Sequence, residues 1–104
     1  MANSLDQKFI ETSESIIAKL GFKDIRSFVK QQASLLILAK IDKYESENTF
    51  FERKYKTSFE EFQERRKGKE GKEVYEEEDD YLDWRFARES LNHLREQKQE
   101  LDHA

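Results

Sequence analysis

The sequence predicts an all-α fold: a helical hairpin with one very long helix, a short third helix and a C-terminal helix, assembled into an oligomeric helical bundle. Three observations predict it. Apolar residues recur every three or four positions from Ile25 to about Tyr55, the repeat of one helix face. The 104 residues include no proline and only three glycines. Strong helix formers dominate, and the alternating pattern typical of strands is absent.

The first helix is expected to begin after Asn3 or Ser4, because either side chain can accept hydrogen bonds from the free amides of a first turn. Gly21 suits the left-handed backbone conformation that ends a helix. The apolar face of this helix consists of Leu5, Phe9, Ile16, Ile17 and Leu20.

The second helix is expected to run from its cap at Asp24 to Tyr55, and the polar residues 45–49 are the place where it would kink or fray. About thirty residues at about 1.5 Å each make a rod of roughly 45 Å. Such a rod is too long for the core of a small monomer and usually packs against another chain. We therefore expect oligomerisation through its apolar face, which consists of Ile25, Phe28, Val29, Leu35, Leu36 and Ala39.

A capping box is predicted next, in which Thr57 pairs with Glu60 or Ser58 pairs with Glu61. The short third helix follows, from Phe59 to about Lys67. Asp79 or Asp80 is expected to cap the last helix, whose narrow apolar face resembles that of a coiled coil. The chain thus divides into a helical oligomerisation region (1–67), a charged linker (68–80) and a partner-binding helix (81–104).

Composition narrows the function. Charged residues make up 40% of the chain and hydrophobic residues 36%, so the chain can bury only a thin core by itself. The absence of cysteine excludes disulfides and thiol chemistry. The N-terminus lacks the pattern of a signal peptide, and the longest apolar run is too short to span a membrane. These features lead us to expect a cytoplasmic protein that does not enter membranes.

No constellation typical of an active site is present, so we expect no enzyme activity, no metal and no cofactor. Glu89 and His93 lie one helical turn apart, but a di-iron bundle needs two Glu-x-x-His motifs and this chain has none. A surface histidine is the simpler interpretation of His93. Glu60, Glu61 and Glu64 are best explained as a solvated helix face with lysine and arginine partners.

An acidic block follows a basic patch near the start of the last helix. It comprises Glu73, Glu76, Glu77, Glu78, Asp79, Asp80 and Asp83. Such charge blocks are often solvated linkers. The alternative is an arm that docks on a basic partner.

Two resemblances bear on function. Leu20-Gly21-Phe22, then Ile25, Phe28-Val29 and Ala33, resemble the two-helix part of ribbon-helix-helix DNA-binding antitoxins. That fold reads DNA with a strand before its first helix, and residues 1–4 are too few to form one. If DNA is bound directly, the phosphate contacts would be Lys8, Lys19, Lys23, Arg26 and Lys30.

From Leu35 onward the chain resembles the antitoxins of prokaryotic type II toxin–antitoxin pairs. The segments that carry this resemblance are Leu35–Lys40, Lys43–Glu45, Phe51–Tyr55, Ser58–Phe62 and Asp79–Trp84. The resemblance implies a helical, often dimeric protein whose C-terminal portion wraps and silences a toxic partner. It assigns no catalytic residues.

Two function classes follow. In the first, the chain is an antitoxin that neutralises a basic cognate toxin through an acidic, aromatic C-terminal half. In the second, it is a non-catalytic helical adaptor, and Tyr81 and Trp84 are ordinary packing residues. The partner-binding residues predicted by the first are Tyr75, Glu76, Glu77, Glu78, Asp79, Asp80, Tyr81, Trp84, Arg88 and Leu91.

Overall fold

A computed structural model describes residues 4–68 and 75–104, which form four α-helices. They are α1 (Ser4–Lys19), α2 (Ile25–Tyr55), α3 (Phe59–Lys67) and α4 (Tyr75–Asp102). The described ranges contain no strand, which confirms the all-α prediction together with the very long second helix, the short third helix and the C-terminal helix. Asn3, one of the predicted caps of α1, lies outside the described residues, as do residues 69–74 of the predicted linker.

The corner between α1 and α2 forms as the sequence predicts. Gly21 has a positive φ of 96°. The amide of Gly21 donates to the carbonyl of Ala18, and the amide of Phe22 donates to the carbonyl of Ile17. This pair of bonds is the Schellman ending of a helix. Asp24 then caps α2 by accepting a 2.8 Å hydrogen bond from the amide of Ser27.

The α2 helix runs without interruption through residues 45–49, where the sequence predicts the weakest part of the rod. It ends at Lys56, which adopts the left-handed conformation with φ 54°. Ser58 caps α3 by accepting from the amide of Glu61, as the capping box predicts. The hydroxyl of Thr57 adds a 2.6 Å bond to the Glu61 carboxylate.

The start of α4 differs from the prediction. The helix begins at Tyr75, so Asp79 and Asp80 lie inside it and do not cap it, and residues 75–80 are not linker. Three glutamates, Glu76 to Glu78, lie in the first turn, where the positive end of the helix dipole stabilises their charge. These glutamates and Asp80 pair with Lys54 and Arg66, which offsets part of the repulsion between the acidic side chains of this segment.

Helices α2 and α4 pack along their length as an antiparallel pair. Lys54 near the end of α2 contacts Asp80 near the start of α4, and Lys30 near the start of α2 reaches the carbonyls of Asp102 and Ala104. The less exposed positions of both helices follow coiled-coil spacing. We call these positions the inner seam: Ile37, Ile41, Tyr44, Asn48, Phe51 and Tyr55 in α2, with Trp84, Ala87, Leu91, Leu94, Lys98 and Leu101 in α4.

The main core is an aromatic cluster where α3 covers the end of this pair. Phe51, Phe62 and Trp84 are buried, and Tyr55, Phe59 and Tyr81 pack against them. The indole N–H of Trp84 donates a 2.8 Å bond to the side-chain oxygen of Asn48, which satisfies the polar atom of the most buried ring. This cluster fixes how α3 and the first half of α4 sit on α2.

The molecule is elongated, with extents of 64 × 28 × 22 Å and a radius of gyration of 21.3 Å. A compact chain of this length would have a radius of gyration of about 13 Å. The α2 helix itself accounts for roughly 46 Å of the long axis. The remainder indicates that α1 extends the molecule beyond the α2–α4 pair.

Candidate functional site

The predicted partner-binding residues of α4 include buried side chains as well as side chains that contact water. Trp84 and Leu91 are buried in the chain's own core. Because a side chain without exposed surface cannot anchor a partner, the predicted roles of Trp84 and Leu91 in binding are corrected to core packing. Tyr81 is half-buried, and its hydroxyl accepts a 3.0 Å bond from the Gln63 side chain. Arg88 is paired with Glu60 at 2.6 Å.

Much of the acidic block is occupied within the chain. Lys54 lies 2.7 Å from Glu76 and 2.6 Å from Asp80, and Arg66 contacts Glu77 and Glu78. These pairs tie the start of α4 to the end of α2 and to α3. The acidic residues therefore help to hold α4 against α2 and α3 within the chain.

Asp80 lies at the centre of this network. Its carboxylate also accepts a 2.5 Å hydrogen bond from the Tyr55 hydroxyl. Burial raises the pKa of Asp80, but the bonds from Lys54 and Tyr55 outweigh burial and hold its pKa below the usual value. Burial and the same hydrogen bond raise the pKa of Tyr55 to about 12.

The side of α4 that faces away from the aromatic cluster carries a different set of residues. Tyr75, Leu82 and Phe86 lie seven and four positions apart and are exposed, Tyr75 by 78% and Phe86 by 57%. Asp79 and Asp83 are exposed between them. No lysine or arginine of residues 4–68 and 75–104 lies within 4 Å of either carboxylate. We call these five residues the outer α4 face.

A shallow groove joins the outer α4 face to α2. Phe50 of α2 is exposed beside it, and the Tyr44 and Phe86 rings meet edge to face with their centres 5.8 Å apart. The groove is lined by Lys43, Tyr44, Ser46, Glu47, Phe50, Phe51, Asp83 and Phe86. Aromatic surface beside carboxylates is the composition expected for docking a partner with cationic and apolar groups.

A second exposed apolar surface lies on the first half of α2. Ile25, Val29, Gln32, Leu36 and Ala39 recur at four and three residues, on a different side of the helix from the inner seam. We call these five residues the outer seam; Val29 and Leu36 are exposed, and so is the flanking Leu35. Phe28 packs edge to face on Phe22, with ring centres 5.2 Å apart. The apolar residues predicted for oligomerisation thus lie mostly outside the contact with α4.

Sequence reasoning missed the inner seam of α2 and the exposure of Leu82 and Phe86. A signal for both was present. Ile37, Ile41, Tyr44 and Phe51 repeat at four, three and seven residues, which is a second apolar face on one helix. Leu82 and Phe86 each lie two positions from Trp84, a rotation of about 200° around the helix, so they lie on the opposite side of α4.

The residues considered for metal and DNA chemistry lie apart. In the parts of the chain that the structure describes, no group of three or more His, Cys, Asp or Glu residues could hold a metal ion. The predicted phosphate contacts Lys8, Lys19, Lys23 and Arg26 are exposed, whereas Lys30 is half-buried against the end of α4. No described helix is long and apolar enough to cross a membrane.

Comparison of the chain with protein-family models, with curated proteins and with solved structures found no match.

Proposed function

We propose that this protein is a non-catalytic binding protein whose outer α4 face, with Phe50, docks on a basic protein partner. One observation carries the proposal: Tyr75, Leu82 and Phe86 stand exposed on a single helix face together with Asp79 and Asp83. Large apolar and aromatic side chains that are exposed together on one surface are typical of interfaces. Carboxylates beside them favour encounter with a positively charged surface.

The more specific form of this proposal is an antitoxin that neutralises a cognate toxin. Its support is the resemblance of residues 35–84 to type II antitoxins and the placement of the acidic, aromatic face on the C-terminal helix, where such proteins bind their toxins. A toxin that acts on RNA would offer the positive surface that the outer α4 face requires. The alternative is an adaptor that joins subunits of a complex through the same face.

The test uses Leu82→Lys, which places a cation in the centre of the outer α4 face. Leu38→Lys is the matched control, because Leu38 is a similarly exposed leucine of α2 (47% against 43%) away from this face. The candidate partner is the product of the reading frame beside the gene. The two chains are co-expressed, and binding is measured by co-purification and by titration of the purified partner.

Leu82→Lys is expected to weaken binding by tenfold or more, about 1.4 kcal/mol, while both variants keep the wild-type circular dichroism. Equal weakening by both variants, or wild-type binding by Leu82→Lys, would overturn the proposed face. A growth assay separates the two forms of the proposal. An antitoxin restores the growth of cells that express the partner and Leu82→Lys does not, whereas an adaptor leaves growth unchanged.

A further inference from the structure

Helix α1 presents an apolar face that the rest of the chain does not cover. Phe9, Ile16 and Leu20 lie on one face, seven and four positions apart, and each is more than half exposed. Only Ile17 is buried among residues 6–19, at the corner where α1 meets α2. The Schellman bonds at Gly21 set the direction of α1 away from the α2–α4 pair.

The outer seam of α2 has matching dimensions and lacks charge. From Ile25 to Ala39 none of its five members is charged. Fourteen steps at 1.5 Å give a length of about 21 Å, and the 16 residues of α1 give about 24 Å. One helix of the length of α1 would therefore cover this seam.

We propose that α1 of one copy packs on the outer seam of a second copy, and that the second copy returns the same contact. The result is a two-fold dimer with two identical helix-on-seam contacts. The corner holds α1 away from the outer seam of its own chain, so the complementary face is offered to another molecule. This surface is separate from the outer α4 face, and the two proposals can fail independently.

Charge supports this occupant. Helix α1 carries three acidic and two basic residues, whereas residues 23–43, apart from Lys30 at the end of α4, carry four basic and two acidic ones. The two surfaces attract each other. Two α2 seams that met each other directly would bring like charges together.

The apolar area also suits a stable dimer. Seven large side chains on and beside the two surfaces are exposed by between 42% and 69%. They are Phe9, Ile10, Ile16, Leu20, Val29, Leu35 and Leu36. At roughly 150–200 Å² for each side chain, they expose about 700 Å² per copy, close to the ~800 Å² that each partner contributes to a standard interface.

The test rests on complementation between two variants of the full chain. Phe9→Asp damages only α1, and Leu36→Asp damages only the outer seam; both side chains are exposed in the single chain, so each variant should keep its helicity. Sedimentation velocity should show a dimer for the wild type and a monomer for each variant alone. An equal mixture should form a mixed dimer that is weaker than the wild-type dimer but stronger than either variant alone. One of its two contacts is intact, because the Phe9 helix of Leu36→Asp meets the Leu36 seam of Phe9→Asp.

Leu38→Asp is the matched control. It places the same charge on an exposed leucine on the side of α2 that faces away from the outer seam, and this variant should remain a dimer. A monomeric wild type would overturn the proposal, and if that monomer bound lipid vesicles through Phe9, α1 would instead belong to a membrane surface. A dimer that Leu36→Asp breaks and Phe9→Asp does not would indicate direct contact between two α2 helices and would equally overturn it. Variants that dissociate and form no mixed dimer even at high protein concentration would do the same.

Discussion

At the scale of single residues, Trp84 organises the C-terminal half of the molecule. Its ring is fully buried, stacks on Phe51 with centres 5.6 Å apart, and is tied to Asn48 by its N–H. Loss of this ring would leave a large cavity and an unpaired amide. The residue that sequence reasoning placed in contact with a partner thus holds three helices of the chain together.

Trp84→Ala is expected to lower the free energy of unfolding by about 3–5 kcal/mol, the usual cost of removing a buried tryptophan. Phe86→Ala, two positions away and exposed, should cost less than about 1 kcal/mol. Urea denaturation followed by circular dichroism measures both. Equal costs for the two variants would show that the inner seam has been assigned to the wrong face of α4.

Lys56 holds a conformation that suits glycine better. Its φ of 54° lies in the left-handed region, where the backbone of any residue with a Cβ atom is strained. Lys56→Gly relieves the strain but makes the unfolded chain more flexible, so a net stabilisation of up to about 1 kcal/mol is expected. Lys54→Gly, inside the helix, should instead destabilise by about 1 kcal/mol or more. The urea midpoints of the two variants should therefore move in opposite directions.

The lowered pKa of Asp80 makes the stability of the fold depend on pH in the acid range. Its pKa is lower in the folded chain than in the unfolded chain, so its contribution is complete above about pH 4, the unfolded value. That contribution is lost as pH falls through the lower folded pKa. Asp80→Asn should therefore flatten the decline of the melting temperature below about pH 4. If the melting temperature of Asp80→Asn falls as steeply as that of the wild type, other carboxylates account for the loss of stability in acid.

At the scale of elements, α4 is part of the folded core and not a detachable arm. Its inner seam covers the inner seam of α2 along their shared length, so a chain without α4 would expose Phe51 and Ile41 to water. Leu91→Ala is expected to destabilise by about 2–4 kcal/mol because Leu91 is buried in this contact. Leu82→Ala on the outer α4 face should cost less than about 1 kcal/mol. Chemical denaturation of the two leucine variants tests the orientation of the whole helix.

The four helices could be predicted from the sequence because their signals are local. Asp24, Ser58 and Gly21 mark helix ends by their own side-chain or backbone chemistry, and the structure has each of them in that role. The start of α4 could not be predicted in the same way. Glu76 and Glu78 there pair with Lys54 and Arg66, which are distant along the chain and come near only after folding.

The faces of the helices were harder to predict than their bounds. The long α2 helix has two apolar seams, and periodicity alone does not say which one a partner helix covers. Leu36 and Ile37 are neighbours in sequence, yet one lies on the outer seam and the other on the inner. The same ambiguity led to the prediction that Trp84 lies on the exposed side of α4, where Leu82 and Phe86 lie instead.

At the scale of the whole molecule, we propose that α2 makes two contacts at once. Its inner seam is covered by α4 of the same chain, and its outer seam would be covered by a second copy. A molecule 64 Å long with a small aromatic core has limited stability by itself. Association would add stability that rises with protein concentration, because a second copy binds the folded form and not the unfolded form.

The most direct measurement is the urea midpoint of the wild type and of Leu36→Asp at two protein concentrations about 100-fold apart. A dimer should gain roughly 2.7 kcal/mol from such a change in concentration, so the wild-type midpoint should rise. The midpoint of Leu36→Asp should stay constant and should match the wild type in the dilute limit, because the inner seam is intact. A wild-type midpoint independent of concentration, or a Leu36→Asp variant that is unfolded when dilute, would contradict the division of α2 into an inner and an outer seam.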